Sequence, residues 1–410
     1  MLSRPRPILP SVQQSVLIVG GGLAAQRAVE TLRARGHHGP IRVVCAEPVA
    51  PYDRPPLSKE LLATGSGDPS FRPPSWYAEQ SVELLLRRRA VALDVARRRV
   101  SLEDGEALGY DELIIATGSR PRRLPMLAGR PNVHVLRTLA DASGLRAALV
   151  PGARLAIVGA GFVGQEVAAT ARRLGVEVTL IEAAPVPLAH VLGEQLGTWF
   201  ADLHRSEGVH VELGAGLADA LPHAPADRPS IPSGVASLPS PSGGAPVESL
   251  VLADGRELAV DAVLVGVGVA PETRWLAGSP LAGDGVAVDE CARTVVPHVY
   301  AAGDVAYGQH WEPAARMGAA AARSILGLPA AAAPPESFWS DQYGIRIHLV
   351  GRAAGADSVE IDGDLESRDF TAVLRRHGAL VGALLVGRPR ELPTWRRRLA
   401  TDALPERIAA

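Results

Sequence analysis

Apolar and polar positions along the chain mark out the same arrangement twice. Val16 to Val19 is a continuous apolar run that enters Gly20, Gly21 and Gly22. The pattern predicts a buried strand, a glycine turn and a helical stretch from about Ala24 to Arg35, which Gly36 ends. A second strand, Ile41 to Cys45, closes on Glu47. Near residue 155 the order recurs: strand Leu155 to Val158, the turn Gly159-Ala160-Gly161-Phe162-Val163-Gly164, a helix to Leu174, then Gly175 and strand Glu177 to Ile181, closing on Glu182. Each is a βαβ unit, and βαβ units build parallel sheets, so the chain reads as α/β.

Between residues 222 and 246 the periodicity is lost, and 15 of 25 residues are Pro, Ser or Gly. A flexible surface insertion is expected there. A hairpin-like segment follows, Ser249 to Leu252 and Glu257 to Val260 around Asp254-Gly255, and then a buried strand, Ala262 to Val267. An alanine-rich helix, Ala314 to Leu326, and an Ala/Pro stretch to Pro335 set off a last piece of about 80 residues. Its short apolar runs, Ile345 to Val350, Phe370 to Leu374 and Leu380 to Leu385, predict a small α+β domain with a meander of strands. The expected division is therefore 1–116 with 263–326 as one dinucleotide-binding domain, 117–262 as a second, and 327–410 as the C-terminal domain.

Charge changes this picture little. The 42 basic and 44 acidic residues nearly cancel, so no global field exists to collect nucleic acid or anionic lipid. No apolar run approaches the roughly 18 to 20 residues that span a bilayer. The opening MLSRPRPILPSVQQS is broken by proline and has no apolar core resembling a signal peptide, so a cytoplasmic protein is expected. Scattered histidines, including His37-His38 before a turn glycine, suggest no metal site. Cysteine narrows the chemistry more. Cys45 and Cys291 are too distant in sequence for a local redox pair, which excludes a dithiol flavoenzyme and predicts two buried thiols without a role. Lysine is the sharpest compositional feature: Lys59 is the only one, and the other 41 basic residues are arginine. Such a residue marks either a place where a compact three-donor ammonium is needed or a chance survivor.

The glycine turns carry the first chemistry. Gly20 and Gly22 stand in the GxGxxG frame with Ala25 third, and Glu47 follows 22 residues later. In such a turn Gly20 permits the tight bend, and Gly22 lets a pyrophosphate approach the backbone of Gly22, Leu23 and Ala24 at the helix N-terminus. Glu47 is placed to accept from a ribose. The second turn has Gly159, Gly161 and Gly164, with Glu182 coming 18 residues after Gly164. A carboxylate there pairs with ribose hydroxyls and repels a 2′-phosphate, and Ala183 and Ala184 offer no arginine to bind one. NAD is expected over NADP.

Two dinucleotide sites in one chain suit a flavoenzyme that draws hydride from a nicotinamide. Leu113-Ile114-Ile115-Ala116-Thr117-Gly118 resembles the ATG segment of two-dinucleotide flavoproteins, and Val299-Tyr300-Ala301-Ala302-Gly303-Asp304 resembles their late FAD motif. The run Gly266-Val267-Gly268-Val269-Ala270-Pro271 lies between them. Within that superfamily, Pro51-Tyr52-Asp53-Arg54-Pro55-Pro56-Leu57-Ser58-Lys59 and Phe338-Trp339-Ser340-Asp341-Gln342-Tyr343 resemble the signatures of the FAD-dependent NADH:ferredoxin reductases, over about residues 14 to 390.

The resemblance implies two Rossmann-like dinucleotide-binding domains, for FAD and NAD, plus a small C-terminal α+β domain. It implies FAD contacts from Arg54, Ala90, Ala116, Thr117, Gly118, Arg120, Gly303, Asp304 and Trp311, and NAD contacts from Phe162, Val163 and Gly268. Lys59 would lie against the flavin and pair with Glu166, which borders the nicotinamide, and Trp339 would pack near the flavin at the acceptor's docking site. For each, a plainer role stands beside this one: a solvated first-turn acid for Glu166, a surface loop arginine for Arg54, an aromatic over a domain seam for Trp339. The implied activity passes electrons from NADH through FAD to a small acidic [2Fe-2S] ferredoxin serving a cytochrome P450 or dioxygenase. Arg316, Arg323 and Arg346 are candidates for that transient docking. A rubredoxin reductase and an NADH-sensing flavoprotein of low turnover are the alternatives, and either a monomer or a homodimer is compatible. Trp311-Glu312-Pro313-Ala314 keeps only its Trp and Ala in common with the family motif, and Arg316-Met317 stand where polar amides are usual.

Overall fold

The computed structural model describes residues 14–222, 244–306 and 310–402. Most of the expected insertion at 222–246 lies outside them. The chain divides into two compact units, one of residues 1–53, 69–120 and 270–333, the other of residues 54–68, 121–269 and 334–410.

The first unit is built on a parallel sheet in which Val16–Val19 lies between Ile41–Cys45 and Glu112–Ile115, with Val82–Leu86 and Val299–Ala301 at the edges. All four residues of Val16–Val19 and of Glu112–Ile115 are buried, as central parallel strands covered on both faces should be. One face carries the helix Leu23–Ala34, whose Ala24, Ala25, Ala28, Val29 and Leu32 enter the core together with Ala321 and Ala322 of the helix Trp311–Ile325. The other face is covered by a small antiparallel sheet, Ala90–Asp94, Arg99–Leu102 and Ala107–Gly109, through Val100, Leu102 and Leu108.

The second unit repeats the plan. Arg154–Val158 lies between Glu177–Glu182 and Ala262–Val265, with His210–Leu213 and Val133–His134 outermost, all parallel. Leu139–Ala148 begins with a reciprocal capping box between Thr138 and Asp141. The same unit contains the C-terminal antiparallel sheet, in the order Ser337–Gln342, Ile345–Gly351, Ala379–Val386, Asp369–Arg376, Ser358–Asp364. One face of that sheet receives Leu192, Leu196 and Phe200 of the helix Ala189–Ser206, and the other receives Trp395 and Leu399 of the helix Leu392–Asp402.

Several boundaries differ from the sequence reading. Ala262–Val265 hydrogen-bonds to Leu155–Val158, so the chain re-enters the first unit at Ala270 rather than at 263. Residues 54–68 group with the second unit although the motif they belong to begins in the first. The late helix starts at Trp311, three residues before Ala314, because Pro313 is tolerated in a first turn that needs no donor from it. Cys45 is buried, whereas Cys291 is only partly so. The sequence pattern did not announce the helix Ala189–Ser206, which is broken at Gly193 (φ 79°) and preceded by Leu188 in a left-handed conformation.

Candidate functional site

In the first unit, Gly20 turns the chain at φ 126°, and a Cβ there would stand 2.0 Å from the Ala116 carbonyl oxygen. The turn is thereby pressed against the Ala116-Thr117-Gly118 segment, and only glycine satisfies both conditions. Two residues on, a Cβ at Gly22 would meet nothing within 4 Å. Gly22 is the N-cap of the helix Leu23–Ala34 and provides no side-chain cap, so the helix opens onto space with its first N–H groups forward. Glu47, just past the next strand, accepts from the Tyr52 hydroxyl at 2.6 Å.

Around this turn, Thr117 Oγ1 donates to the Glu272 carbonyl at 2.8 Å, and Arg120 lies 3.9 Å from the Glu272 carboxylate. Ser119 Oγ donates to Asp304 at 2.7 Å, directly after Gly303 (φ 82°). Trp311 donates its indole N–H to Asp53 at 2.7 Å and receives the Arg27 guanidinium over its ring. Met317 packs against both apolar clusters of the unit, so an apolar residue serves where polar amides are usual in the family. Ala90 opens the small antiparallel sheet.

In the second unit, a Cβ at Gly159 would stand 2.5 Å from the Gly266 carbonyl oxygen, and one at Gly164 would stand 2.3 Å from that of Gly159. Gly161 again faces open space as an N-cap without side-chain cap. Glu182 is held by its own turn: one carboxylate oxygen accepts from the Ala160 N–H at 2.8 Å and the other from the Ala184 N–H at 2.9 Å. Val163 is exposed in the first helical turn, while Phe162 packs on Phe338 of the C-terminal sheet with ring centroids 4.3 Å apart. Gly268 (φ 92°) accepts from the Arg122 N–H at 2.9 Å.

The helix Phe162–Arg173 also carries a largely buried ion pair. Glu166 is 5% exposed, and its Oε2 lies 2.7 Å from Lys59 Nζ. Arg54, five residues before Lys59, donates to the Arg137 carbonyl. Trp339 projects from the face of the C-terminal sheet opposite to that of Ser340, since the register sets it against His348 and side chains alternate along a strand.

Sequence reasoning missed the polar residues that hold these groups. Ser58 Oγ donates to Glu166 Oε2 at 2.5 Å, and Thr170 Oγ1 donates to the Ser58 carbonyl at 2.8 Å. Gln165, fully buried, donates to the Ala160 carbonyl in the glycine turn at 2.8 Å and meets His204 Nε2 at 3.2 Å. His204 Nδ1 lies 2.6 Å from the Tyr343 hydroxyl. Burial pushes the His204 pKa down to about 4, so the imidazole is neutral near pH 7. Ser58, Gln342 and Tyr343 all lie inside motifs that the sequence displays. The period-2 alternation of Ser337–Gln342 was the available signal that Ser340 and Gln342 share a face.

Two parallel sheets of Rossmann type, each opening on a glycine turn and closing on an acid at the end of the next strand, define a two-dinucleotide oxidoreductase fold. The chain belongs to the pyridine nucleotide-disulphide oxidoreductase family, matched over residues 14–318, and carries a reductase C-terminal domain over residues 337–410. It is 36% identical to the anthranilate 1,2-dioxygenase system ferredoxin–NAD(+) reductase component of Burkholderia cepacia over 95% of each chain. It is 32% identical to putidaredoxin reductase of Pseudomonas putida, over 96% of this chain and 93% of the relative. Its fold superposes on the reductase in a crystal structure of the covalent putidaredoxin reductase–putidaredoxin complex with a TM-score of 0.86 and 31% identity, covering 96% of this chain and 94% of that one. The disulphide of the family description has no counterpart among the described residues, where Cys45 and Cys291 are both free, and burial beside Glu47 pushes the Cys45 thiol up to about 12. No described helix is long and apolar enough to cross a membrane.

Proposed function

We propose that the chain is an FAD-containing, NADH-dependent ferredoxin reductase of the cytoplasm that delivers single electrons to a [2Fe-2S] ferredoxin serving an oxygenase. The carrying observation is the pair of uncapped helix N-termini at Gly22 and Gly161, each with open space where a Cβ would stand. Backbone N–H groups aimed forward from a helix end are donors for a pyrophosphate, so the residues present fit two dinucleotides. On this reading FAD is held by the turn Gly20 to Ala25, Glu47, the segment 116–118, Gly303 and Asp304. NADH is held by the turn Gly159 to Gly164 and Glu182.

FAD, when bound, supplies the conversion of a two-electron donor's hydride into single electrons. The protein's own part is orientation and charge. Glu182 has both oxygens steadied by amides and keeps lone pairs for ribose hydroxyls, while its charge disfavours a 2′-phosphate. Lys59 supplies the cation that such chemistry calls for when negative charge builds on a reduced ring, and Glu166 orients it. Trp339 and Arg346, which the strand register sets on one face of the C-terminal sheet, are the side of that domain assigned to an acidic acceptor, in a charge-steered encounter of small area.

The reading is tested with the purified yellow protein by NADH-driven cytochrome c reduction, with and without an added [2Fe-2S] ferredoxin. Strong ferredoxin-dependent stimulation is expected, and its absence with several such ferredoxins would reject the acceptor assignment. Replacing Glu182 by Ala should lower the NADH-to-NADPH ratio of kcat/KM at least several-fold, since one charged contact that discriminates the ribose is lost. An unchanged ratio would contradict the nucleotide assignment.

A further inference from the structure

Glu166 is a buried carboxylate whose two oxygens are served by three side chains from two separate segments. Oε2 takes Lys59 Nζ at 2.7 Å and Ser58 Oγ at 2.5 Å; Oε1 takes Ser340 Oγ at 2.7 Å, from the C-terminal sheet. Ser340 is wholly buried and receives the Gln342 Nε2–H at 3.2 Å. That bond fixes the direction of the next one. A side-chain NH2 only donates, so the single hydroxyl proton of Ser340 is left for Glu166. With the amide reversed, Gln342 would claim that proton, and a serine lone pair would face a charged oxygen.

Lys59 has few other holds. Its second hydrogen bond is to the Pro55 carbonyl at 3.4 Å, at the weak end of the range. The segment is tied down through Ser58, by Thr170 at its carbonyl and Glu166 at its hydroxyl. The position of the only ammonium side chain in the protein therefore depends on a carboxylate, and that carboxylate's other oxygen depends on the C-terminal domain. A buried carboxylate that loses one of its compensating donors has to turn, take up a proton or admit water. Each of these loosens Lys59.

We propose that Ser340 is a positioning residue for Lys59, acting through Glu166, so that the C-terminal domain helps to set the charge at the nucleotide-side site as well as facing the electron acceptor. The kinetic side of this inference rests on the function proposed above; its chemical side does not. Because Lys59 is the sole lysine, acylation of the folded, flavin-loaded protein by an N-hydroxysuccinimide ester adds one side-chain amide, which peptide mass spectrometry reads directly. An ion-paired ammonium reacts slowly, and a released one reacts faster.

In Ser340→Ala, Lys59 acylation should accelerate about fivefold or more. The limiting rate of flavin reduction by NADH should fall by a similar factor, with the NADH dissociation constant within about twofold of wild type. Ser340→Thr keeps the hydroxyl and should restore both. Ser340→Cys keeps the size but offers only a weak donor, and it should move both readouts in the same direction as Ala even where the Ala variant does not fold. Acylation and limiting rate both unchanged in the Ala or Cys variant would overturn the proposal. A wild-type flavin that NADH does not reduce would instead reject the proposed function, and the acylation comparison would still decide the role of Ser340.

Discussion

Four residues beyond the second glycine of each turn, both helices bury a glutamine, Gln26 in the first unit and Gln165 in the second, and the two are satisfied in different ways. Gln26 receives the Tyr77 hydroxyl and donates to Glu30, one turn further along its own helix. Gln165 reaches back to its own glycine turn and outward to His204. The next residue diverges further. Arg27 is partly exposed and pairs with Glu30 on the same helix, whereas Glu166 is buried and holds Lys59, Ser58 and Ser340. At that position the same βαβ scaffold therefore pairs a charge within its own helix in one unit and with distant segments in the other. On the function proposed above, the second helix is the one whose first-turn acid serves the site.

The largest expected effect separates the two glycines of the first turn. Gly20→Ala adds a Cβ 2.0 Å from a backbone oxygen at a φ of 126°, and should cost about 4 kcal/mol or more, seen as loss of soluble flavoprotein or a steep fall in Tm. Gly22→Ala, with nothing within 4 Å, should leave Tm of the flavin-free protein nearly unchanged while lowering flavin content. Equal losses of stability would show that the open space at Gly22 is not a binding cradle.

Next comes acid stability, which should distinguish the partners of the two buried glutamines. The folded pKa of His204, about 4, lies below its ordinary 6.5, so the unfolded chain binds the extra proton. This contribution is complete above about pH 6.5 and declines as pH falls towards 4, by roughly 3 kcal/mol in total. His204→Gln should flatten that part of the Tm profile between pH 7 and 4. Tyr77→Phe should leave the acid slope as in wild type, because a tyrosine raised above its ordinary value does not titrate there. A His204→Gln profile parallel to wild type would remove His204 from the acid response.

Smallest is the kinetic contrast at the following position. Glu166→Gln should slow flavin reduction by NADH about tenfold, equivalent to about 1.4 kcal/mol of transition-state stabilisation. Arg27→Gln, at the equivalent place in the other helix, should change it less than twofold. Stopped-flow traces at saturating NADH decide between them, and equal effects would mean that Glu166 acts only on stability.

Local pattern carried most of the fold. Apolar-rich runs beside the glycine turns place Val16–Val19, Ile41–Cys45, Arg154–Val158 and Glu177–Glu182 within a residue, because a central parallel strand covered on both faces is apolar at most of its positions. The glycine turns and their closing acids were equally legible, since backbone approach constrains residue type directly. What needed the tertiary structure was the pairing of side chains far apart in sequence. Ser340 is 174 residues from Glu166, and Ser58 is 108 residues from it. Nothing local distinguishes such a serine from a solvated one. Its role depends on which way a strand alternates and which helix the strand packs against, so the sequence determined the two nucleotide-type folds and the lone ammonium, while the folded chain decided which hydroxyls would hold that ammonium's counter-ion.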